Sequence, residues 1–391
     1  MIAAIIAASL LGTTGQPVTV EVHVGTGLPT FQIVGLPDDA CRESRDRVRA
    51  AVLSSGLDWP SKRITVNLAP SGLRKGGSGL DLAIAIGVLV AAGTIGTDAV
   101  AGLAMLGELG LDGSLRAVPG VAPMIAAVGD VDVVVPVASW HEAHAVATGR
   151  VRLARTLGSV VHALQGGNWP EIDIPFADVD EVDPPDLADV RGQPEARAAL
   201  EIAAAGGHHL LLVGPPGSGK TMIAQRIVGL LPPLDHVTAL EATMVHSAAG
   251  VALPATGILR LPTFRAPHHS SSMVSLVGGG SHMMRPGEIS LAHGGCLFMD
   301  ELGEFQPTVL DALRQPLEDG VIRVARASSH TICRPGSCSS PRRTRARAVV
   351  ARRGRASATT SLGTGTSGGC RNRCWTASIC ASACSARVST T

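Results

Sequence analysis

The residues with the clearest chemistry in this chain form one glycine-rich octapeptide. It follows an apolar run at positions 210–213 and reads Gly214-Pro215-Pro216-Gly217-Ser218-Gly219-Lys220-Thr221. This segment, the phosphate loop below, fits the pattern G-x-x-x-x-G-K-[ST] at every constrained position. Its glycines allow backbone N–H groups to turn toward a polyphosphate at the positive end of the helix predicted over 222–231. We expect Lys220 to reach the β- and γ-phosphates of a nucleotide and the Thr221 hydroxyl to bind Mg²⁺.

Two adjacent carboxylates farther along the chain could complete such a site. Asp300 and Glu301 follow Cys296-Leu297-Phe298-Met299, four apolar residues with the composition of a buried strand. An apolar run that ends in Asp-Glu is a weak signal alone, but it becomes specific when it follows a complete phosphate loop. Asp300 is predicted to hold Mg²⁺ through water, and Glu301 to orient or deprotonate the attacking water.

Composition limits the class of protein that can carry these motifs. The chain has 391 residues, of which 45% are apolar and only 2% aromatic, with no tyrosine. This length accommodates two or three domains with cores of small aliphatic side chains. Residues 1–7 are apolar but have no basic segment before them, so they predict a first strand and not a signal peptide. The apolar run 80–92 contains Asp81 and is too short to span a bilayer. We therefore expect a cytoplasmic protein without a membrane partner.

The formal net charge of +1 averages two different regions. From Cys333 onward there are 11 Arg and no acidic residue; subtracting them from the 33 basic residues leaves 22 against 32 acidic ones, a net charge of −10 for positions 1–332. Six of the eight cysteines also follow position 332. No histidine accompanies them, so we do not expect a zinc site there. A genuine Arg/Cys/Ser-rich nucleic-acid-binding tail is one interpretation of this region.

Hydrophobic periodicity predicts an α/β fold. Strand candidates before position 165 are 18–24, 30–34, 64–68 and 131–135, and helix candidates are 39–55, 80–92 and 123–128. The predicted organisation is a first domain over 1–165, a linker over 166–185, a second domain over 186–332 and a tail over 333–391.

Several longer motifs carry a resemblance to a known family. The segment Asp189-Val190-Arg191-Gly192-Gln193 is similar to the adenine-side segment of AAA+ ATPases. Residues 264–272, 286–295 and 313–320 resemble the magnesium-chelatase-like branch of these ATPases, and residues 35–38 and 43–51 narrow the resemblance to ComM/YifB-type proteins. The resemblance is continuous to about residue 332 and predicts a P-loop AAA+ parallel-sheet domain behind a Lon-protease-like α/β domain.

The resemblance implies an ATPase that depends on ATP and Mg²⁺. The implied site residues are 214–221 with Val190 and Gly192 for the nucleotide, Thr221 and Asp300 for the metal, and Lys220 and Glu301 for catalysis. It further implies assembly into a ring, usually a hexamer, that acts on DNA, for example in branch migration during recombination of incoming strands. The ATPase motor subunit of a magnesium chelatase is the alternative. For His268 and His269, ligation and DNA contact are alternatives to a structural role in their loop, which we favour.

Residues 1–165 resemble the Lon-protease-like domain of the same family. Gly76-Gly77-Ser78-Gly79 lies where Lon-type enzymes carry the nucleophilic serine, which needs a neighbouring lysine as its base. Ala122 stands at the position expected for that lysine, and Lys75 is predicted to point elsewhere on the turn. We predict a binding or assembly domain and not a protease.

The resemblance stops abruptly after Ala327, and codon degeneracy offers a reason. We tested a reading frame shifted by one base, in which each new codon takes the last base of the preceding codon and the first two bases of its own. In this frame the codons possible for residues 343–349 can encode Thr-Asn-Pro-Cys-Pro-Cys-Gly. In the same register residues 374–381 can read Leu-Leu-Asp-Arg-Ile-Asp-Leu-Arg. Both strings resemble later motifs of the family. We therefore predict a C-terminal truncation by a frameshift near residues 328–334.

A shifted frame would remove the strand that AAA+ domains insert between the phosphate-loop strand and the Asp-Glu strand. An empty central position in a parallel sheet would leave backbone N–H and C=O groups unpaired on both sides. From this we expect an incomplete and unstable domain over 186–332, a disordered tail over 333–391, and an inactive polypeptide as a third functional alternative.

The missing base gives a first testable prediction. A serine without a neighbouring base is a weak nucleophile, so Ser78 should not react with a fluorophosphonate probe, and the purified protein should cleave no peptide in a Ser78-dependent way. Mass spectrometry of the treated protein measures the labelling. Labelling at Ser78 that disappears in Ser78→Ala would contradict the prediction.

Overall fold

Two separate sheets organise the chain, one in each of two units. The computed structural model describes residues 2–72, 75–173, 183–280, 284–319, 322–326, 329–333, 347–353 and 388–389. The first unit consists of residues 1–179 with 240–259 and 279–286, and the second of residues 180–239, 260–278 and 287–391. Strands and helices alternate in both units, which confirms the predicted α/β class.

The first unit is built on a mixed seven-stranded sheet. The strands of this part of the chain are β1 (Ile2–Leu11), β2 (Thr14–Gly25), β3 (Thr30–Val34), β4 (Arg63–Ala69), β5 (Leu103–Met105), β6 (Glu108–Leu109), β7 (Leu115–Arg116), β8 (Asp132–Pro136) and β9 (Val151–Ala154). The sheet order is β3-β4-β2-β1-β5-β8-β9, while β6 and β7 form a separate antiparallel ribbon. Within the sheet β2 pairs antiparallel with β1 and β4, and the other four pairs are parallel.

Five α-helices accompany this sheet within residues 2–72 and 75–173. They are α1 (Asp39–Ser54), α2 (Asp81–Ala92), α3 (Val121–Val128), α4 (Trp140–Val146) and α5 (Leu157–Leu164). α1 begins where the Asp38 carboxylate accepts a hydrogen bond from the Cys41 N–H at 2.8 Å, an N-cap that satisfies one free donor of the first turn. α2 is buried on every face, and its Gly87 lies so close to β2 that a Cβ there would be 2.6 Å from Val22 Cγ2. Small residues thus set the spacing between helix and sheet, as the composition predicts.

A segment from the middle of the chain completes the first unit. Ser247 is buried at 4% exposure, and its carbonyl accepts a hydrogen bond from the Gly120 N–H at 2.9 Å. Its Oγ accepts one from the Ala122 N–H at 3.2 Å and donates to Glu142 Oε2 at 2.6 Å. Residues 240–259 therefore satisfy backbone groups at the start of α3 that no helical partner reaches. The first unit departs from the predicted boundaries of 1–165 by including this segment.

The second unit carries a five-stranded sheet. The remaining strands of the chain are β10 (Leu210–Gly214), β11 (Phe264–Arg265), β12 (Gly278–Gly279), β13 (Arg285–Pro286), β14 (Cys296–Met299), β15 (Ile322–Arg326), β16 (Ser329–Cys333), β17 (Arg347–Arg353) and β18 (Val388–Ser389). The order is β11-β14-β17-β10-β18, and every pair in this sheet is parallel. β15 and β16 form an antiparallel hairpin.

The remaining α-helices of the described residues come after α5 along the chain. They are α6 (Pro194–Gly206), α7 (Lys220–Gln225), α8 (Ile227–Leu230), α9 (His236–Ala249), α10 (Met273–Val277), α11 (Glu288–Leu291) and α12 (Pro307–Asp319). The single helix predicted over 222–231 is instead two short helices, α7 and α8. The Arg226 N–H donates to the Ile223 carbonyl at 3.1 Å, an i to i−3 bond that tightens the chain between them.

The prediction of an empty central position in the second sheet is wrong. β17 lies between β10 and β14, with Leu210 opposite Val349 on one side and Phe298 opposite Val349 on the other. The prediction overlooked the apolar run Ala348-Val349-Val350-Ala351, which suits a strand paired on both sides. Unpaired backbone groups on β10 and β14 favour any extended segment that satisfies them. The expectation that all of 333–391 is disordered is therefore corrected for β17 and β18, while the proposed frameshift stays a prediction.

None of the helices in the described residues is long and apolar enough to cross a membrane.

The bonds of Ser247 give a second prediction. Ser247→Ala removes a donor to the half-buried Glu142 carboxylate and an acceptor for the Ala122 N–H, so the first unit should lose about 1–3 kcal/mol of unfolding free energy. Burial already raises the pKa of Glu142. When the pKa of a carboxyl group is higher in the folded protein than in the unfolded chain, the free energy of unfolding falls as the pH rises above the unfolded-state pKa, here 4.5. Losing the Ser247 hydroxyl raises that pKa further, so the destabilisation should be larger at pH 8 than at pH 4.

Urea unfolding followed by tryptophan fluorescence measures this effect, because Trp59, Trp140 and Trp169 all lie in the first unit. Ser54→Ala is a matched control, since Ser54 Oγ donates to the Leu111 carbonyl at an exposed site. The control should stay within about 0.5 kcal/mol of the parent. Equal effects of the two substitutions, or a Ser247→Ala effect that does not change with pH, would contradict this account.

Candidate nucleotide-binding site

The phosphate loop connects β10 to α7. Gly217 has φ of +76° and Gly219 has φ of +82°, the left-handed region that glycine adopts without strain. A Cβ at Gly217 would meet nothing within 4 Å, so backbone conformation and not space requires glycine there. The loop therefore has the backbone turn that its sequence pattern predicts.

The second acidic motif lies at the same edge of the sheet as the phosphate loop. β10 and β14 both run parallel to β17, so the residues after their carboxyl ends meet. Thr221 Oγ1 donates a hydrogen bond to Asp300 Oδ2 at 2.9 Å. Residues 79 positions apart in the sequence thus come into direct contact, and both carry the oxygen ligands that Mg²⁺ prefers.

The ammonium group of Lys220 is held by the loop itself. Its Nζ donates to the Pro215 carbonyl at 2.8 Å and the Gly214 carbonyl at 3.1 Å, and it lies 3.5 Å from Ser218 Oγ. These contacts keep the only cation of the loop over the turn where phosphate oxygens would bind. A bound polyphosphate would exchange neutral carbonyl acceptors for anionic ones, which form stronger hydrogen bonds with an ammonium group.

The two motifs line one open cleft. Its volume is about 370 Å³, within the range of ligand pockets. The lining residues are Pro216, Gly217, Gly219, Lys220, Thr221, Met222, Asp300 and Glu301. The described residues contain no group of three or more His, Cys, Asp or Glu side chains arranged to bind a metal. One carboxylate and one hydroxyl suit Mg²⁺, which takes few protein ligands and completes its octahedron with water and phosphate oxygens.

Glu301 adopts a backbone conformation that is uncommon for a residue with a side chain. Its φ is +50°, its N–H donates to Asp300 Oδ1 at 2.9 Å, and its carbonyl accepts from the Glu304 N–H at 2.8 Å. Such strain costs on the order of 1–3 kcal/mol and clusters at functional sites. It turns the chain immediately after β14, which places Asp300 and Glu301 on the same cleft.

The predicted adenine-side residues lie beside the phosphate loop. Gln193 Nε2 approaches the Ser218 carbonyl at 3.5 Å, and Gly192 has φ of +75°. Val190 is 1% exposed, and its carbonyl accepts a hydrogen bond from Arg197 at 3.2 Å. The structure therefore brings this segment to the site, but it buries the Val190 side chain in the core of the second unit. An adenine base could contact the backbone of Val190, but not its side chain, unless the core rearranged.

The first unit brings the predicted serine to a carboxylate. The Gly107 N–H donates to the Gly79 carbonyl at 3.0 Å, which joins the two loops, and Ser78 Oγ donates to Glu108 Oε2. A Cβ at Gly79 would lie 3.9 Å from Met124 Cε, so the turn adjoins α3. Ala122 lies in the first turn of that helix. The serine therefore has a carboxylate partner, while the helix beside it carries a methyl group at the position expected for the base.

Two charged residues near this turn have structural partners. The buried Asp81 accepts two hydrogen bonds from Arg47, at 2.7 and 3.1 Å, and one from Ser44. Burial raises the pKa of Asp81, and the guanidinium of Arg47 opposes that shift. Lys75 is 1% exposed, burial lowers its pKa, and its Nζ donates to the Pro70 carbonyl. The ammonium group of Lys75 is therefore bound to a backbone carbonyl five residues earlier in the chain.

Comparisons with known proteins show which family has these motifs in this order. Residues 186–338 match the family model described as magnesium chelatase, subunit ChlI, and residues 20–139 match a second model described as subunit ChlI of Mg-chelatase. The Lon protease 2 of Bacillus subtilis is 28% identical over 156 residues, which cover 36% of this chain and 26% of that protein. A parallel sheet with a phosphate loop and an Asp-Glu strand end, which follows a Lon-like unit along the chain, defines a magnesium-chelatase-like AAA+ protein.

Longer matches narrow the class. An uncharacterized protein of Mycobacterium tuberculosis is 49% identical over 318 residues, which cover 81% of this chain and 63% of that protein. The competence protein ComM of Haemophilus influenzae is 44% identical over 329 residues, and the uncharacterized protein YifB of Escherichia coli 43% identical over 318. The chain belongs to the ComM/YifB-type family of magnesium-chelatase-like proteins. It spans 62–64% of the length of these relatives.

Proposed function

We propose that this chain binds Mg·ATP in the cleft between the phosphate loop and Asp300, and that it hydrolyses the nucleotide there. The hydrogen bond between Thr221 and Asp300 is the observation that supports this most directly, because it joins the two motifs of an ATPase site. Membership of the magnesium-chelatase-like AAA+ family implies nucleotide and Mg²⁺ dependence in general.

Each side chain has a role in this proposal. The loop N–H groups and Lys220 bind the β- and γ-phosphates, and Gly192 with the Val190 backbone lies on the adenine side. Thr221 and Asp300 hold Mg²⁺, which when bound would neutralise charge that develops on the phosphates. Glu301 orients the attacking water and accepts its proton. The serine of the first unit takes no part, and that unit serves binding or assembly.

Two substitutions separate binding from hydrolysis and give a third prediction. Lys220→Ala removes the only cation of the loop and should abolish binding of a fluorescent ATP analogue. Glu301→Gln keeps the shape of the side chain but removes the base, so it should bind the analogue normally and lower the hydrolysis rate about 10²–10⁴-fold. Lys62→Ala, at an exposed position of the first unit, is a control outside the cleft. Hydrolysis by Glu301→Gln at the parent rate would show that another group is the base.

We also propose that the protein assembles into a ring and acts on DNA in the cytoplasm. The support is the resemblance to ComM/YifB-type proteins and the match to a protein named for competence. The net charge of −10 over positions 1–332 opposes non-specific attraction to DNA. Contacts with DNA must therefore come from a local basic surface, from the arginine-rich segment after position 332 or from the assembled ring.

The DNA proposal gives a fourth prediction. ATP hydrolysis by the full chain should rise when single- or double-stranded DNA is added at low salt, and the stimulation should fall steeply as salt increases, because phosphate contacts release counterions. Analytical ultracentrifugation with and without Mg·ATP tests for the ring in the same preparation. Hydrolysis that DNA leaves unchanged would contradict the DNA role and favour the chelatase motor instead.

A further inference from the structure

A histidine from the strand beside β14 lies next to the proposed base. β11 pairs in parallel with β14, with Phe264 opposite Cys296 and Arg265 opposite Leu297. The loops that leave these two strands therefore emerge side by side at the same edge. His269 Nδ1 lies 4.0 Å from Glu301 Oε2. The sequence pattern could not distinguish this histidine from His268, its neighbour.

Contacts at the start of the His269 loop and within it hold the loop in place. Arg265 donates to Glu288 through Nε at 2.7 Å and through a terminal nitrogen at 2.8 Å, a bidentate pair at the end of β11. The rings of His268 and His269 lie 4.0 Å apart, and His268 Nδ1 is 2.8 Å from Ser270 Oγ. The two histidines therefore have different contacts, one to its own loop and the other to the acidic motif.

Both carboxylate oxygens of Asp300 have hydrogen-bond partners within the site. Asp300 uses one carboxylate oxygen for the Thr221 hydroxyl and the other for the Glu301 N–H. The left-handed backbone of Glu301 sets the direction in which its side chain leaves the strand end. Glu301 lines the cleft, and the imidazole of His269 lies beside one oxygen of its carboxylate.

We infer that His269 is the positioning residue for Glu301, an inference that rests on the proposed ATPase function. The imidazole holds Oε2, so that Oε1 is directed to the attacking water. At 4.0 Å the contact is longer than a hydrogen bond, and catalytic hydrogen bonds are often long before substrate binds. A role as metal ligand has no support, because no cluster of metal-binding side chains occurs among the described residues.

The contact through Nδ1 makes a specific fifth prediction. His269→Ala should lower kcat about 10–100-fold, the cost of displacing a catalytic group by roughly 1 Å. The affinity for Mg·ATP should change less than about threefold, because His269 touches the base and not the phosphate loop. An asparagine amide places a nitrogen near the position of Nδ1, whereas a glutamine amide lies one bond farther out. His269→Asn should therefore restore much of the activity, and His269→Gln should not.

Two further variants test whether His269 acts through Glu301. His268→Ala changes the ring that contacts Ser270 and should keep kcat within about threefold of the parent. In the Glu301→Gln background, His269→Ala should cause no additional loss, because groups that act as one unit are not additive. An independent further loss there, an equal loss in His268→Ala, or full activity in His269→Ala would overturn the inference.

These measurements use the full chain, and their outcomes separate a failure of this inference from a failure of the proposed ATPase function. Failure of the parent protein to bind Mg·ATP would contradict the proposed function, and the inference with it. If the parent binds Mg·ATP but turns over too slowly to measure, the affinities for Mg·ADP and Mg·ADP·aluminium fluoride replace kcat. His269→Ala should then weaken only the aluminium fluoride complex, which mimics the transition state. Equal affinity of the parent and His269→Ala for that complex would overturn the inference alone.

Discussion

Parallel pairing on both sides of one strand underlies the arrangement of the candidate site. β17 hydrogen-bonds to β10 on one edge and to β14 on the other, and it thereby fixes the register between two segments that are far apart in sequence. Backbone donors and acceptors of a central strand must be paired, so the register tolerates little change. The contact between Thr221 and Asp300 follows from that register, because each residue lies just beyond the end of its strand.

Three residues with positive φ angles lie shortly after strands of this sheet, and one of them is strained. Gly217 and Gly219 take positive φ angles at no steric cost, whereas Glu301 takes one at a cost of about 1–3 kcal/mol. The strain at Glu301 directs a carboxylate from the end of a buried strand into the cleft. A rigid strand on one side and the hydrogen bond from Glu304 on the other hold it there. Strain of this kind is characteristic of a site whose geometry is fixed before substrate arrives.

The chain is similar to a Lon protease over part of its length, and Ser78 of the first unit lies where that family carries its serine. Ser78 lies on a turn joined to the loop of Glu108, yet α3 presents Ala122 where a basic side chain is expected. The N–H of Ala122 instead binds the hydroxyl of Ser247, which comes from a distant part of the chain. This position is therefore part of a hydrogen-bonded contact between segments that are far apart in the sequence.

Local sequence determined the identity of the elements that carry the chemistry, but not the division of the helix after the phosphate loop into α7 and α8. The octapeptide 214–221 and the strand Cys296–Met299 are recognisable because their glycines and apolar residues act over a few neighbouring positions. Long-range contacts decided the rest. Periodicity could not show that Ser247 joins the first unit or that β17 fills the central position of the second sheet. Nor could it distinguish His268 from His269, because only the pairing of β11 with β14 brings one of the two rings to Glu301. Backbone pairing and burial depend on contacts between segments that are far apart in the sequence. A pattern within a few neighbouring residues therefore cannot predict which segments will meet.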